Sequence, residues 1–233
     1  LYTFNPEVWS SLDGVRPVLI HLFEGYVDAA AINRNLGAHI LQNCEHEILA
    51  EFDHDQLHDY RSRRPQMVFD TNSWVSMKDF SLLLYKVIDA AGTPFLLLVG
   101  PEPDSQWRRM TQAVLGIAER LHSAMLLTGS GVPMAVPHTR PTLVTSHSTD
   151  SKLATGNPLW IDRVQIPGSF SAVLEFCAGQ VGLTGLGFVA HVPHYLAQST
   201  FPQATAAVLR RMNEATGLRI PLGDLDAEAE QQL

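Results

Sequence analysis

Two histidines, His191 and His194, stand three residues apart at the end of an apolar run, with Pro193 between them. A zinc site needs imidazoles that converge with further ligands, and its helical form places two histidines four apart around a glutamate. Because this spacing differs and no carboxylate or thiol lies close by, we expect no metal. The pair is then an acid/base pair or the corner between a strand and a helix. We favour the corner, although strand ends of this kind also bind ligands.

Acidic residues follow two other apolar runs, in the segments FEGYVDA and VGPEPDSQW. Each segment is expected to leave a buried strand and enter a helix, where backbone N–H groups can face an anion. The carboxylates there either cap the helices or, if they face each other in a buried site, act as a general acid and base. The sequence leaves both possibilities open. The candidate pocket comprises Glu24, Gly25, Asp28, Glu102, Asp104, His191 and His194.

Arginines are concentrated in the connection DHDQLHDYRSRRP, and a further basic pair occurs in VPHTRP. A guanidinium can hold a carboxylate or phosphate with two hydrogen bonds, but it can equally pair with neighbouring aspartates or with another subunit. We rank the internal and interfacial uses above a role in binding substrate. The candidate interface or anion-binding residues are Arg61, Arg63, Arg64, His138 and Arg140.

The remaining motifs argue against several kinds of site. The segment TSHSTD contains Ser146, His147, Ser148 and Asp150, but catalytic triads are assembled in space, so a local cluster counts for little. No G-x-S-x-G motif occurs in the chain. The glycine-rich segments TGSG and GLTGLG match neither the Walker motif nor the dinucleotide fingerprint. We therefore expect no cofactor.

Composition restricts the partners that the chain can have. A formal net charge of -8 provides no basic face for nucleic acid. The longest uncharged run, residues 176–190, is too short and too rich in glycine to span a membrane. The chain opens on Leu1 without a basic and then apolar start, so we expect no secretory signal. These features predict a soluble, cytoplasmic protein that binds neither nucleic acid nor membrane.

Apolar runs alternate with helical patterns along most of the chain. PVLIHLF and PFLLLVG are continuous apolar stretches, typical of strands buried on both faces of a sheet. QMVFD and SLLLYKVID are expected to pair as a hairpin or as neighbouring strands, and LWIDRVQI also resembles a strand. Helices are expected after Asp28, from Trp107 and after Thr200. This order predicts a three-layer α/β/α fold with a mixed, largely parallel central sheet. We expect one domain over residues 1–225 and a polar tail, 226–233, compatible with truncation of the native C-terminus.

Five segments together resemble a bacterial, actinobacterial-type member of the proteasome assembly chaperone 2 family. The resemblance runs from about Pro17 to Leu225, and Tyr26 stands where the family often has a tryptophan. The segments are PVLIHLFEGYVDAA, FDHDQLHDYRSRRP, LLVGPEPDSQW, VPHTRP and AHVPHYLAQSTFPQATAAVLRRM.

The resemblance implies a fold like that of the nucleoside phosphorylases and related hydrolases, usually in homo- or hetero-oligomers. Eukaryotic and archaeal members of the family chaperone proteasome assembly, so the resemblance also implies a proteasome-related partner. It does not supply a reaction. Some archaeal members dock on the proteasome through a hydrophobic-Tyr-x tail, whereas this chain ends in EQQL.

Three hypotheses about function follow. The first is a non-catalytic, homo-oligomeric scaffold or assembly factor, with a trimer as the favoured number, in which the arginine-rich connection and VPHTRP are buried against another subunit or against their own helices. The second is a hydrolase or transferase that acts on a small anionic molecule at the carboxyl ends of the strands. The third is a ligand-sensing module with the same pocket but without an arranged nucleophile or base.

Overall fold

The computed structural model of the chain describes residues 1–26, 28–154 and 163–231. Within these ranges, strands and helices follow one another along most of the sequence. They are β1 (Tyr2–Phe4), α1 (Pro6–Ser10), β2 (Leu19–Glu24), α2 (Ile32–Asn43), β3 (Glu45–Phe52), α3 (His54–Leu57), β4 (Gln66–Asp70), β5 (Ser73–Lys78), β6 (Leu83–Ile88), β7 (Pro94–Pro101), α4 (Trp107–Arg120), β8 (Leu126–Met134), β9 (Val144–Ser148), α5 (Phe170–Gln180), β10 (Gly185–Pro193), α6 (Pro202–Thr216) and α7 (Leu225–Gln231).

Eight of these strands form one sheet in the order β1-β3-β6-β7-β2-β8-β10-β9. The four strands β7, β2, β8 and β10 are mutually parallel and occupy the centre. On one side of this centre, β7 pairs with β6, β6 with β3 and β3 with β1, and on the other side β10 pairs with β9. All of these pairs are antiparallel, so β3 runs in the direction of the central strands. Five of the eight strands thus point the same way, which brings their carboxyl ends to one edge. The predicted mixed, largely parallel sheet is confirmed.

Helices cover both faces of this sheet and bury its apolar residues in two clusters. On one face α2, α6 and α7 pack on the sheet through residues such as Leu36 and Met212. On the other face α1, α4 and α5 pack through residues such as Val114 and Leu174. Alternate side chains of a strand point to opposite faces, so Leu19 and Phe23 of β2 belong to the second cluster while Ile20 and Leu22 belong to the first. The three-layer α/β/α arrangement is confirmed.

The hairpin has a different partner from the one that we predicted. QMVFD forms β4, but it pairs with β5 and not with SLLLYKVID, whose Leu83–Ile88 part is β6 of the main sheet. Asp70 lies opposite Ser73, so only Thr71 and Asn72 form the turn, and Thr71 has a positive φ of 53°. Two-residue hairpin turns favour such backbone angles because they match the twist of the strands. We call residues 66–78 the hairpin arm.

Two other segments differ from the sequence prediction, and one of them lies partly outside the described residues. In the expected strand LWIDRVQI, residues 159–162 lie outside the described residues, and Arg163–Ile166 are not in a strand. Part of the expected polar tail is helical, since α7 packs on α6 with Leu225 and Ala229 buried. The division into one domain and a tail stays a prediction.

None of the helices in the described ranges combines the length and the apolar character that crossing a membrane requires.

Candidate functional site

A cavity of about 490 Å³ lies on the α5 side of the sheet, toward the carboxyl ends of the central strands. Its floor is formed by residues of β2, β8, β9 and β10, and the start of α5 with the preceding residues 166–169 forms its roof. The volume falls within the range of small-molecule sites in proteins. The lining residues on which the chemistry depends are Asn33, Glu102, Thr128, Ser130, Thr145, His147 and His191.

The structure divides the predicted pocket residues among three places. Gly25, Glu102 and His191 line this cavity. Glu24 and Asp28 lie beside it in a smaller depression of about 260 Å³, which Gly25 also borders. Asp104 and His194 line neither space.

Glu102 holds the roof of the cavity to the loop after β2. One of its carboxylate oxygens accepts a hydrogen bond from the backbone N–H of Phe170, the first residue of α5, at 2.5 Å. The other oxygen accepts from the backbone N–H of Tyr26 at 3.2 Å. Gly25 is required beside it, because a Cβ at that position would collide with the Glu102 carboxylate. Glu102 therefore acts as a structural latch and has no carboxylate oxygen without a hydrogen bond.

Asp28 lies shortly before α2, and its carboxylate accepts the backbone N–H of Asn33, the second residue of that helix, at 3.0 Å. Burial and, to a smaller extent, the negative charge of Glu24 together raise the pKa of Asp28 to about 6, against the effect of the Asn33 hydrogen bond. Glu24 is itself paired with Arg34, 2.5 Å from one of its guanidinium nitrogens. The Asp28 carboxylate therefore contacts the first turn of α2, and its role in the candidate pocket stays a prediction.

The arginine-rich connection makes an internal ion pair through Arg63. Its Nε lies 3.3 Å from Asp104, whose carboxylate also accepts the backbone N–H of Asp59 at 2.9 Å. Burial acts to raise the pKa of Asp104, but the Asp59 hydrogen bond and the Arg63 charge together hold it below its usual value. Arg61 and Arg64 are exposed.

The histidines of the predicted corner lie in different environments. His191 is buried, its Nε2 is 3.4 Å from the hydroxyl of Thr145, and burial lowers its pKa. His194 begins a single 3-10 turn and packs its ring edge-on against Tyr195. The Tyr195 hydroxyl hydrogen bonds to the backbone N–H and Nδ1 of His138, at 3.1 and 2.9 Å. His138 is thereby joined to the corner, whereas Arg140 is exposed.

The sequence patterns place His147 only within a local cluster and do not identify its contact with Glu175 at the cavity. His147 of β9 lines the cavity, and its Nδ1 lies 2.9 Å from a carboxylate oxygen of Glu175 on α5. Two glycines of β10 make room for this pair: a Cβ at Gly185 would collide with Glu175, and one at Gly187 would collide with the imidazole of His147. Alternate glycines in a buried strand are the signal that could have indicated it.

Metal chemistry has no support from side-chain geometry in the described ranges. Across residues 1–26, 28–154 and 163–231, no three His, Cys, Asp or Glu side chains converge as metal ligands would.

Comparison with solved structures shows the same fold in actinobacterial proteins. The chain is 42% identical to Rv2714 of Mycobacterium tuberculosis, which is described as a protein of unknown function. The match has a TM-score of 0.91 and covers 100% of this chain and 80% of Rv2714. A Corynebacterium glutamicum protein of unknown function is 35% identical, with a TM-score of 0.91 over 100% and 87% of the two chains. Rv2125 of M. tuberculosis, described as a proteasome-assembly chaperone homologue, is 25% identical, with a TM-score of 0.85 over 92% of each chain.

A comparison with functionally curated proteins finds no significant match. The family model that matches the chain is that of the PAC2 family, and the match extends over residues 22–232. Since this range covers most of the chain and includes every residue that lines the cavity, the chain belongs to the PAC2 family.

Proposed function

We propose that the protein is a homo-oligomeric assembly factor that works through its surfaces. The observation that carries this proposal is the hairpin arm. Every residue of β4 and β5 is exposed. Six large apolar side chains on these strands are between 45% and 64% exposed: Met67, Val68, Phe69, Trp74, Val75 and Met77.

The exposed apolar side chains of the hairpin arm need to be buried against another protein surface. Met67, Val68 and Phe69 are consecutive, and successive side chains of a strand point to opposite faces, so both faces of the arm are apolar. An isolated two-stranded hairpin is marginally stable in water. Covering the six half-exposed side chains would contribute roughly 1 kcal/mol each. An uncovered arm would promote aggregation, as long apolar edge strands do.

The cover that we propose is a second copy of this chain. Each copy has a formal net charge of -8, so contacts between charged surfaces of two copies are repulsive. The arm avoids this repulsion because its only charged residues, Asp70 and Lys78, cancel. Strongly apolar contact surfaces are typical of permanent homo-oligomers, and every copy supplies both the arm and the surface that receives it. A trimer is the number that we propose first.

Light scattering during size-exclusion chromatography tests this proposal. The wild-type protein should elute as a trimer at micromolar concentration, and the double variant Phe69→Ser/Trp74→Ser should elute as a folded monomer. Leu153→Ser is the matched control, since it removes an exposed apolar side chain near the opposite edge of the sheet and should leave the trimer intact. A wild-type monomer would refute the proposal, as would a double variant that keeps the wild-type mass.

The partner that we propose for the assembled protein is a proteasome subunit, and we place this activity in the cytoplasm. The support is membership of the PAC2 family and the likeness to the proteasome-assembly chaperone homologue Rv2125. Purified proteasome subunits from the same host, mixed with the oligomer and separated on a native gel, should form a slower complex. If neither the free subunits nor the assembled proteasome core shifts, the proteasome is not the partner.

A further inference from the structure

The walls of the 490 Å³ cavity are largely apolar. Of the described residues that line it, none is Lys, Arg or Asp. Glu102 is its carboxylate, and both of its oxygens already accept backbone N–H groups. Burial, and then the neighbouring His147, lower the pKa of the buried His21 to about 3, so His21 provides no positive charge near neutral pH. An ion in this cavity would therefore lose hydration without meeting a Lys, an Arg or a free carboxylate among the described lining residues.

One polar atom at the cavity has no hydrogen bond within the described part of the chain. Asn33 is 4% exposed and lines the cavity, and its Oδ1 has no partner there. Its Nδ2 donates to the backbone carbonyl of Phe23 at 2.9 Å, and this bond fixes which amide atom is the oxygen. A buried acceptor without a donor costs about 1–3 kcal/mol. A ligand that brings an O–H or N–H group would recover that free energy.

A second acceptor is provided by His147. Because Nδ1 is hydrogen bonded to Glu175, Nε2 is the ring nitrogen left to accept a hydrogen bond from a ligand. Gly185 and Gly187 leave the space that this pair occupies, so β10 is adapted to hold the imidazole in this orientation. An imidazole oriented by a carboxylate is also the arrangement of a general base.

We propose that this cavity is a binding site for an uncharged, mainly apolar small molecule whose hydroxyl group donates a hydrogen bond to Nε2 of His147. Oδ1 of Asn33 is the acceptor for a second donor group, where the ligand has one. Glu175 is a positioning residue that keeps Nε2 available as an acceptor. The site is separate from the hairpin arm, so it goes beyond the proposed assembly function. It also differs from the anionic substrate that we considered from the sequence.

Four probes of similar size and shape test the ligand class. Benzyl alcohol, toluene, benzoate and benzylamine differ in charge and in the presence of a hydroxyl group, and NMR of the histidine side chains reports their binding. Benzyl alcohol should bind about 5-fold more tightly than toluene, as one added hydrogen bond allows. Benzoate and benzylamine should bind more weakly than toluene. Tightest binding of benzoate would overturn the proposal, as would failure of all four to bind.

Substitutions at Glu175 separate a positioning role from a merely structural one. Glu175→Leu removes the acceptor for Nδ1–H, so the preference for benzyl alcohol over toluene should fall toward 1-fold, while Glu175→Gln, which can still accept, should keep most of it. If Glu175→Leu lowers stability but leaves the preference unchanged, the pair has only a structural role and the proposal fails.

A substitution at Gly187 tests the same geometry from the strand. Gly187→Ala should displace the imidazole, shift the His147 signals and weaken benzyl alcohol binding about 5-fold. Gly116→Ala is its matched control, because a Cβ at Gly116 meets nothing within 4 Å. Unchanged His147 signals and unchanged affinity in a folded Gly187→Ala protein would contradict the proposed site. If Gly187→Ala does not fold, the Glu175 variants decide.

Discussion

His21 shows how a polar residue in a central strand sets the response of the protein to acid. It is 1% exposed and belongs to the face of β2 that carries Leu19 and Phe23. Burial, with a smaller effect of His147, lowers its pKa from 6.5 to about 3. Below pH 6.5, His21 therefore binds a proton in the unfolded chain but stays unprotonated in the folded protein. This stabilising contribution is complete above pH 6.5 and is lost as the pH falls toward 3.

We expect His21→Leu to remove this acid sensitivity. Between about pH 8 and about pH 5, the free energy of unfolding of the wild type should fall by about 2 kcal/mol more than that of the variant. The variant should keep a smaller slope, because burial also lowers the pKa of His58 and His191. Urea denaturation at several pH values measures both curves. Parallel curves would show that His21 is protonated equally in the folded and unfolded states.

Asp28 should have the opposite pH dependence. Its folded pKa of about 6 lies above its ordinary value of 3.8, so the folded protein keeps a proton that the unfolded chain loses. The stabilising contribution is therefore complete below pH 3.8 and is lost as the pH rises through 6. Asp28→Asn can still accept the backbone N–H of Asn33 but cannot ionise.

Relative to the wild type, Asp28→Asn should gain about 1–2 kcal/mol of stability between about pH 4 and about pH 7, after allowance for the half-buried position. The same urea series measures the difference. A constant difference between the two proteins across this range would mean that Asp28 titrates normally in the folded state.

The element on which the site depends most is α5, because it supplies Glu175 and begins at the roof of the cavity. Glu102 joins its first N–H group to the loop after β2, and both hydrogen bonds end on one carboxylate. Glu102→Ala leaves two backbone donors without this acceptor and should lower the free energy of unfolding by about 2–4 kcal/mol. The exposed Glu119→Ala, on α4, is the control and should change stability by less than about 0.5 kcal/mol. Equal effects of the two substitutions in chemical denaturation would contradict the latch.

Sequence patterns identified most elements but not every pairing between them. The segment SWVSMK mixes serines with apolar residues, so the sequence pattern does not predict its strand, and the predicted pairing gave β4 the wrong partner. Alternation predicts a strand when one face is buried, whereas this hairpin is exposed on both faces. The patterns of α4 and α6 were clear because each helix buries one face only.

The sequence predicted the fold more completely than the candidate site. Apart from His21, PVLIHLF and PFLLLVG are apolar because β2 and β7 are covered on both faces, so the parallel centre could be inferred. The rule that parallel strands end at one edge also placed Gly25, Glu102 and His191 near one another. The contact of His147 with Glu175 could not be inferred in this way. It joins residues 28 positions apart and depends on β9 lying antiparallel beside β10.

At the scale of the whole molecule, the exposed apolar arm links the fold to the proposed function. The main sheet buries its apolar residues under helices on both faces, whereas β4 and β5 do not. The account therefore requires that another molecule covers the arm, and that this molecule is a second copy of the chain.

Amide hydrogen exchange of residues 66–78, followed over a dilution series of the purified protein, tests this requirement most directly. We predict slow exchange in the concentrated protein, and exchange that accelerates on dilution together with a loss of molecular mass. Fast, unprotected exchange of these amides at every concentration, in a protein that stays monomeric, would contradict the account.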